Sequence, residues 1–136
     1  MGLLHRTEPD PAAETAWASF LRLAAALDEG SRALLATIPT ARRPGAPLAA
    51  GVEGFLAGVA AARAELPGWA LPELAAEHAA AGVALDAAAA RAELLAGAAE
   101  GVEFEGRNEL VGEILDELEP VQDAERALKA LRRRRR

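Results

Sequence analysis

The chain has 136 residues, of which 51% are hydrophobic and 26% charged, and its formal net charge is -6. This length and balance predict one globular domain, and the absence of cysteine excludes disulfides, thiol nucleophiles and thiolate metal sites. Alanine and leucine dominate, β-branched residues are few and tyrosine is absent, which favours an all-helical protein.

The sequence predicts no signal peptide, no myristoylation and no membrane span. The N-terminal apolar run is too short for a signal peptide, and Arg6 stands where the myristoylation pattern needs serine or threonine. The most apolar window, residues 46–62, is shorter than the ~20 residues that a membrane span needs, and it carries Glu53. We therefore expect a cytoplasmic protein, and the lack of cysteine fits that compartment.

The first predicted helix begins at Asp10-Pro11, a capping side chain followed by proline at the first helical position, and runs to about Thr37. Gly30 predicts a bend or break in it. A proline-rich loop, TIPTARRPGAP, follows. The predicted core stripe recurs at three- and four-residue steps and comprises Ala13, Trp17, Phe20, Ala24, Leu27, Ser31, Leu34 and Ile38.

The second predicted helix covers residues 48–66 and carries Gly51, Gly54 and Gly58 on the face beside its apolar stripe, where a neighbouring helix can approach closely. The sequence LPGW, residues 66–69, predicts a tight turn. The third helix is expected from near Pro72 to about Ala98. Six larger side chains are expected in the core of the whole domain, namely Trp17, Phe20, Phe55, Leu85, Ile114 and Leu118.

The segment GVEFEG, residues 101–106, alternates apolar and acidic side chains and predicts an extended connector. The fourth helix is expected to begin near Asn108 and to kink or restart at Pro120. Four amphipathic segments with short connections predict an up-and-down antiparallel four-helix bundle over residues 1–131, followed by a basic C-terminal tail, residues 132–136.

His78 is the candidate for a chemical role, since it stands on the apolar stripe of the third helix. With Gly82 four residues later, it resembles the histidine phosphotransfer domain, a four-helix bundle with a phosphorylated histidine. This likeness covers about six residues. That family has a lysine where Ala81 stands, and its histidine faces solvent. We favour a core histidine with one satisfied nitrogen.

The sequence predicts no metal site, no cofactor and no catalytic residue. A di-iron bundle needs paired Glu-x-x-His motifs, and no glutamate lies three residues before His78. Glu113 and Asp116 have the spacing of the magnesium ligands in all-helical nucleotide pyrophosphohydrolases, but the second acidic pair of that family is missing. The acidic run of the fourth helix is therefore expected to be a solvated face.

Two basic groups are candidates for anion binding. Arg42 and Arg43 lie in the proline-rich loop, and the chain ends in five arginines, Arg132, Arg133, Arg134, Arg135 and Arg136. Without these five, 10 basic residues face 21 acidic ones, a net charge of -11. The tail arginines can complement the protein's own acidic surface and the last helix dipole, bind phosphate on nucleic acid or anionic lipid, or have no role.

The function predicted from these features is a non-enzymatic helical bundle that binds another protein, with homo-oligomerisation among the options. The first alternative is weak binding of nucleic acid or an anionic membrane surface through the arginine tail. The second alternative is a ligand-binding or enzymatic bundle built around His78.

Overall fold

The computed structural model describes residues 10–97 and 104–135, and within these ranges the chain forms helices and no strand. The elements are α1 (Pro11–Leu35), α2 (Leu48–Ala64), two short 3₁₀ turns (Leu66–Trp69 and Pro72–Leu74), α3 (Ala75–Gly97), α4 (Phe104–Asp116) and α5 (Glu119–Arg134). The last two are halves of one bent helix. The predicted four-helix bundle is confirmed. None of the described helices is both long and apolar enough to cross a membrane.

Helix α1 begins as predicted, because the Asp10 side chain accepts a hydrogen bond of 3.0 Å from the amide of Ala12. Only half of the predicted core stripe lies on its buried face. Trp17, predicted in the core, is only half-buried, because its ring lies under cationic side chains of α5 and not inside the bundle. The buried residues are Ala13, Ala16, Ser19, Phe20, Leu23, Leu27, Gly30 and Leu34.

Glycines bring α1 and α2 into close contact. A Cβ on Gly58 would stand 2.7 Å from the Ala26 carbonyl oxygen and 3.0 Å from the Cα of Gly30. A Cβ on Gly54 would stand 2.8 Å from the Cβ of Ala33. None of the described glycines has a positive φ, so space is what selects glycine at this crossing. The close approach predicted for the α2 glycines is confirmed.

The break predicted at Gly30 is wrong, since α1 is continuous from Pro11 to Leu35. Gly30 is buried at the crossing, with Gly58 and the backbone of Phe55 within 3.4 Å of where its Cβ would be. The packing of α2 against α1 around Gly30 keeps α1 helical there, and it outweighs the ~1 kcal/mol that glycine costs in a helix interior.

The fourth helix begins at Phe104, not near Asn108, so the extended connector predicted for residues 101–106 is wrong over residues 104–106. Residues 101–103 lie outside the described ranges. A helix that already exists gains one hydrogen bond for each residue it adds, and a single apolar–acidic alternation does not compete with that.

The restart predicted at Pro120 is confirmed, since α4 ends at Asp116 and α5 begins at Glu119. Proline takes the first turn of α5, where its missing amide costs nothing. The bend keeps Ile114, Leu118 and Val121 buried on the same side. Five of the six predicted core residues, Phe20, Phe55, Leu85, Ile114 and Leu118, lie in one apolar cluster.

Gly58→Ala should destabilise the bundle by ~1–3 kcal/mol, although alanine is the better helix former, because the new methyl group enters the backbone of α1. Gly112→Ala is the matched control. No described atom beyond its own helix backbone lies within 4 Å of the added Cβ, so this substitution should stabilise by about 0.5–1 kcal/mol. Urea unfolding at unchanged m-value measures both, and equal effects of the two substitutions would show that the crossing is not close-packed.

Candidate functional site

Arg132, Arg133 and Arg134 form the last turn of α5 and Arg135 is its C-cap, and these four arginines divide into two sets. Arg132 donates from Nε and Nη2 to the two carboxylate oxygens of Glu14, at 2.7 and 2.9 Å. Arg135 donates from Nη1 to Asp10 Oδ2 at 2.6 Å and forms an ion pair with Glu73. These five residues, here called the C-terminal ion-pair cluster, join the end of α5 to the start of α1 and to the Pro72–Leu74 turn.

Arg132 also contacts an aromatic ring beside this cluster. Its guanidinium lies 4.7 Å from the centre of the Trp17 ring, and Lys129 Nζ lies 5.8 Å from the same ring. The hydrogen bond to Glu14 raises the pKa of the Arg132 guanidinium, partly offset by desolvation, so Arg132 is charged at every physiological pH. Arg132 and Arg135 therefore balance carboxylates of the protein itself. They stand at the C-terminal end of α5, where the helix dipole also favours positive charge.

Arg133 and Arg134 are exposed and make no ion pair with the described residues. Arg136 lies outside the described ranges. Arg42 and Arg43 are also exposed, in a loop ordered by Thr40, whose Oγ1 accepts from their backbone amides at 3.3 and 3.1 Å. The structure does not bring the two basic groups together, because the ~37 Å length of α1 separates them.

Of the two loop arginines, Arg43 borders a groove of about 500 Å³, which Arg32, Leu35 and Ile38 also help to line. Arg32 is already paired with Asp28 at 2.9 Å. The groove also lies beside the C-terminal end of α1, where the helix dipole is negative and opposes a bound anion. The loop therefore offers little more than one exposed cation next to the groove.

His78 ties α3 to the turn that precedes it. Its Nε2 lies 2.7 Å from the Leu66 carbonyl oxygen, and since a carbonyl can only accept, Nε2 carries the proton and donates. The half-buried ring meets Trp69 edge to face, with centroids 4.6 Å apart. This geometry gives His78 a structural task, and none of the described carboxylates is hydrogen-bonded to it.

Trp69 is a core residue that the sequence analysis missed, because it treated LPGW only as a turn. The ring is fully buried and meets Phe20 edge to face at 5.2 Å. Beside it, the Ser19 hydroxyl lies 2.9 Å from both the carbonyl oxygen and Oε1 of Glu65. The same Oε1 accepts a hydrogen bond of 3.1 Å from Arg22 Nε. A tryptophan between proline- and glycine-rich positions was the available signal, since so large a ring is seldom left in solvent.

The acidic face of the fourth helix is partly neutralised by α3. Arg91 donates from Nε to Glu117 Oε1 at 2.8 Å and from Nη1 to Glu113 Oε2 at 3.3 Å. Among the described residues, no three histidine or carboxylate side chains converge as metal ligands. Of the pair Glu113 and Asp116, Glu113 is therefore bound by Arg91.

The outward face of α3 is a second feature that the sequence analysis missed. Opposite its buried stripe, a line of exposed or half-exposed apolar residues runs along the helix, here called the outer stripe: Ala76, Ala80, Val83, Ala87, Ala90 and Leu94. Val83 and Leu94 are 68% and 75% exposed, the highest values among the large apolar side chains that the structure describes. Steps of three and four residues keep the line on one side over ~27 Å.

Charged residues flank the outer stripe but do not enter it. Asp86 and Glu93 lie along one edge, and Glu77 and Arg91 lie along the other. Asp86 forms an ion pair with Arg63 of α2. A groove of about 210 Å³ between α3 and α4, lined by Leu94, Leu95, Leu110 and Ile114 among others, extends the apolar surface at one end.

The signal for the outer stripe was a second set of apolar residues at helical spacing within the third helix. It was missed because four of its six members are alanines, which the composition makes common.

Comparison of the chain with protein-family models, with curated proteins and with solved structures finds no match.

Arg132→Gln and Glu14→Gln should be coupled by about 0.5–1 kcal/mol in a double-mutant cycle of unfolding free energies, the upper range for a partly exposed pair with bidentate geometry. Arg133→Gln is the matched control one residue away and should change stability by less than ~0.5 kcal/mol. Additive effects of the first two substitutions would contradict the pairing.

Proposed function

We propose that this protein is a non-catalytic protein–protein interaction module of the cytoplasm and that the outer stripe of α3 is its binding surface. The observation that carries the proposal is the exposure of Val83 and Leu94 on one face of a helix whose opposite face is already buried. A helix that is apolar on both faces is normally covered on both.

The chemistry of the stripe fits a helix as the partner. Its spacing of three and four residues is the pattern that helices use when they pack along one another, and its alanines permit a close approach of the two backbones. Contiguous exposed apolar surface with charged edges is also typical of binding sites on soluble proteins. Large apolar residues elsewhere on the described surface, Leu21 and Leu35, are 47% exposed and stand on α1, away from this line.

Binding of anionic polymers through the tail is the second candidate, and the exposure of Arg133 and Arg134 favours it. Arg132 and Arg135 are engaged by carboxylates of the C-terminal ion-pair cluster, so fewer than five arginines are available to phosphate. The acidic remainder of the chain opposes nucleic acid. The charges of the chain therefore favour protein binding over anionic-polymer binding as its function.

The double variant Val83→Glu/Leu94→Glu tests the main proposal, because two carboxylates in the stripe must lose their hydration when a partner covers it. The tagged chain should lose the partner proteins that it captures from a lysate, measured by quantitative mass spectrometry. Leu21→Glu/Leu35→Glu is the matched control, with the same change at two exposed positions. The same proteins captured by all three forms would contradict the proposal.

The tail alternative predicts a weak salt dependence. If Arg132 and Arg135 stay paired, at most three of the five arginines can contact phosphate, and the log–log slope of duplex DNA binding against salt should be no steeper than about -3, against about -4 to -5 if all five bound phosphate. Fluorescence anisotropy of a labelled duplex measures it, with Arg133→Gln/Arg134→Gln as the variant that should bind DNA more weakly and with a shallower slope. A slope of about -5 would show that the C-terminal ion-pair cluster opens on DNA. The same measurement with anionic vesicles in place of the duplex distinguishes lipid binding from nucleic-acid binding.

A further inference from the structure

We infer that the partner on the outer stripe is a second copy of this chain, packed with its α3 antiparallel to the first about a two-fold axis. This inference rests on the proposed function and names the occupant of the same surface. It is carried by the order of the large and small residues along the stripe, and the charges at the edges and the size of the stripe set how strong the contact is.

The order of side-chain sizes suits an antiparallel pair. If the axis lies midway between residues 83 and 87, Val83 of one copy faces Ala87 of the other, Ala80 faces Ala90 and Ala76 faces Leu94. Each large side chain then meets an alanine, which keeps the distance between the helices even along the contact. A parallel pair would set Val83 on Val83 and Leu94 on Leu94, and the alanine layers between them would be left with voids.

Two charged residues at the edges of the stripe, Arg91 and Asp86, are already paired within each copy. Arg91 donates to Glu117 and Glu113 of its own chain, so the apolar contact, and not an ion pair between copies, holds the two helices together. Asp86 lies near the axis and so near its own symmetry mate, but its charge is matched by Arg63 within each copy. The antiparallel helix dipoles are also favourably aligned.

The stripe is narrow, with one valine, one leucine and four alanines, and its two-fold contact is smaller than the ~800 Å² per partner of a typical stable interface. We therefore expect a weak dimer that forms and dissociates with concentration. Its dissociation constant should fall between ~1 μM and ~1 mM, a range that permits exchange with other helical partners.

The absence of cysteine makes disulfide trapping a clean test. Ala80→Cys and Ala90→Cys are prepared as separate single variants, one with a mass tag, and mixed in a glutathione redox buffer. The antiparallel pair brings the thiol introduced by Ala80→Cys in one copy to the thiol introduced by Ala90→Cys in the other. A parallel pair brings like positions together, and the two positions are ~15 Å apart along the helix, beyond the ~7 Å between Cα atoms that a disulfide spans.

The expected result is a mixed disulfide well above its statistical share, seen on a non-reducing gel and by mass spectrometry. It should be lost when Val83→Glu is added to both variants, and it should not form between Ala80→Cys and Ala25→Cys, an exposed control position on α1. Predominance of like-with-like disulfides would overturn the antiparallel arrangement.

Sedimentation velocity of the unmodified chain over about 1 μM to 1 mM, spanning the expected dissociation constants, provides the second readout. A rise in mean mass toward the dimer, abolished in Val83→Glu/Leu94→Glu and retained in Leu21→Glu/Leu35→Glu, is expected. A monomer throughout, with no mixed disulfide, would overturn self-association. Lysate capture that still depended on Val83 and Leu94 would in that case leave the binding surface in place and assign it to another protein.

Discussion

The close crossing of α1 and α2 at Gly30 and Gly58 is the constraint on which the rest of the bundle depends. Because the two backbones approach within the space of a missing Cβ, the direction of α2 relative to α1 is fixed by hard contact and not by flexible side chains. That direction carries the chain to the Leu66–Trp69 turn, beside the N-terminal half of α1, where Trp69 packs on Phe20. The crossing thus determines where the largest buried ring among the described residues is placed.

The N-terminal half of α1 is held in place a second time, from the other end of the chain. Arg132 and Arg135 join α5 to the carboxylates of the C-terminal ion-pair cluster, and Trp17 lies beneath the Arg132 guanidinium. Individual pairs of this exposure contribute little, but several charges that share one geometry restrict the helix end more than any single pair. The basic C-terminus of an acidic protein is thereby explained in part by the carboxylates it meets within the same chain.

Helix α3 carries the two most exposed large apolar side chains among the described residues, Val83 and Leu94, on the side opposite its buried one. Its inner side, with Leu85 and Leu95, fills the bundle, and His78 and Arg91 connect its flanks to the α2–α3 turn and to α4. Its outer side has no cover among the described residues. A bundle can bury only one side of each helix, so a second apolar side is available for association with another molecule, and this property links the fold to the proposed function.

The sequence by itself determined the helical class, the start of α1 at Asp10, the loop after it and the restart at Pro120, because caps, prolines and apolar spacing act within a few residues. It also indicated the glycine-rich side of α2. Only the tertiary structure decided that Gly30 lies at a helix crossing within a continuous helix, where local propensity predicted a bend or break. Tertiary contacts also put Trp69 in the core and paired Arg132 with Glu14, since these depend on residues far apart in the chain meeting in space. The outer stripe needed both levels, because spacing alone cannot say which of two apolar sides of a helix faces the core.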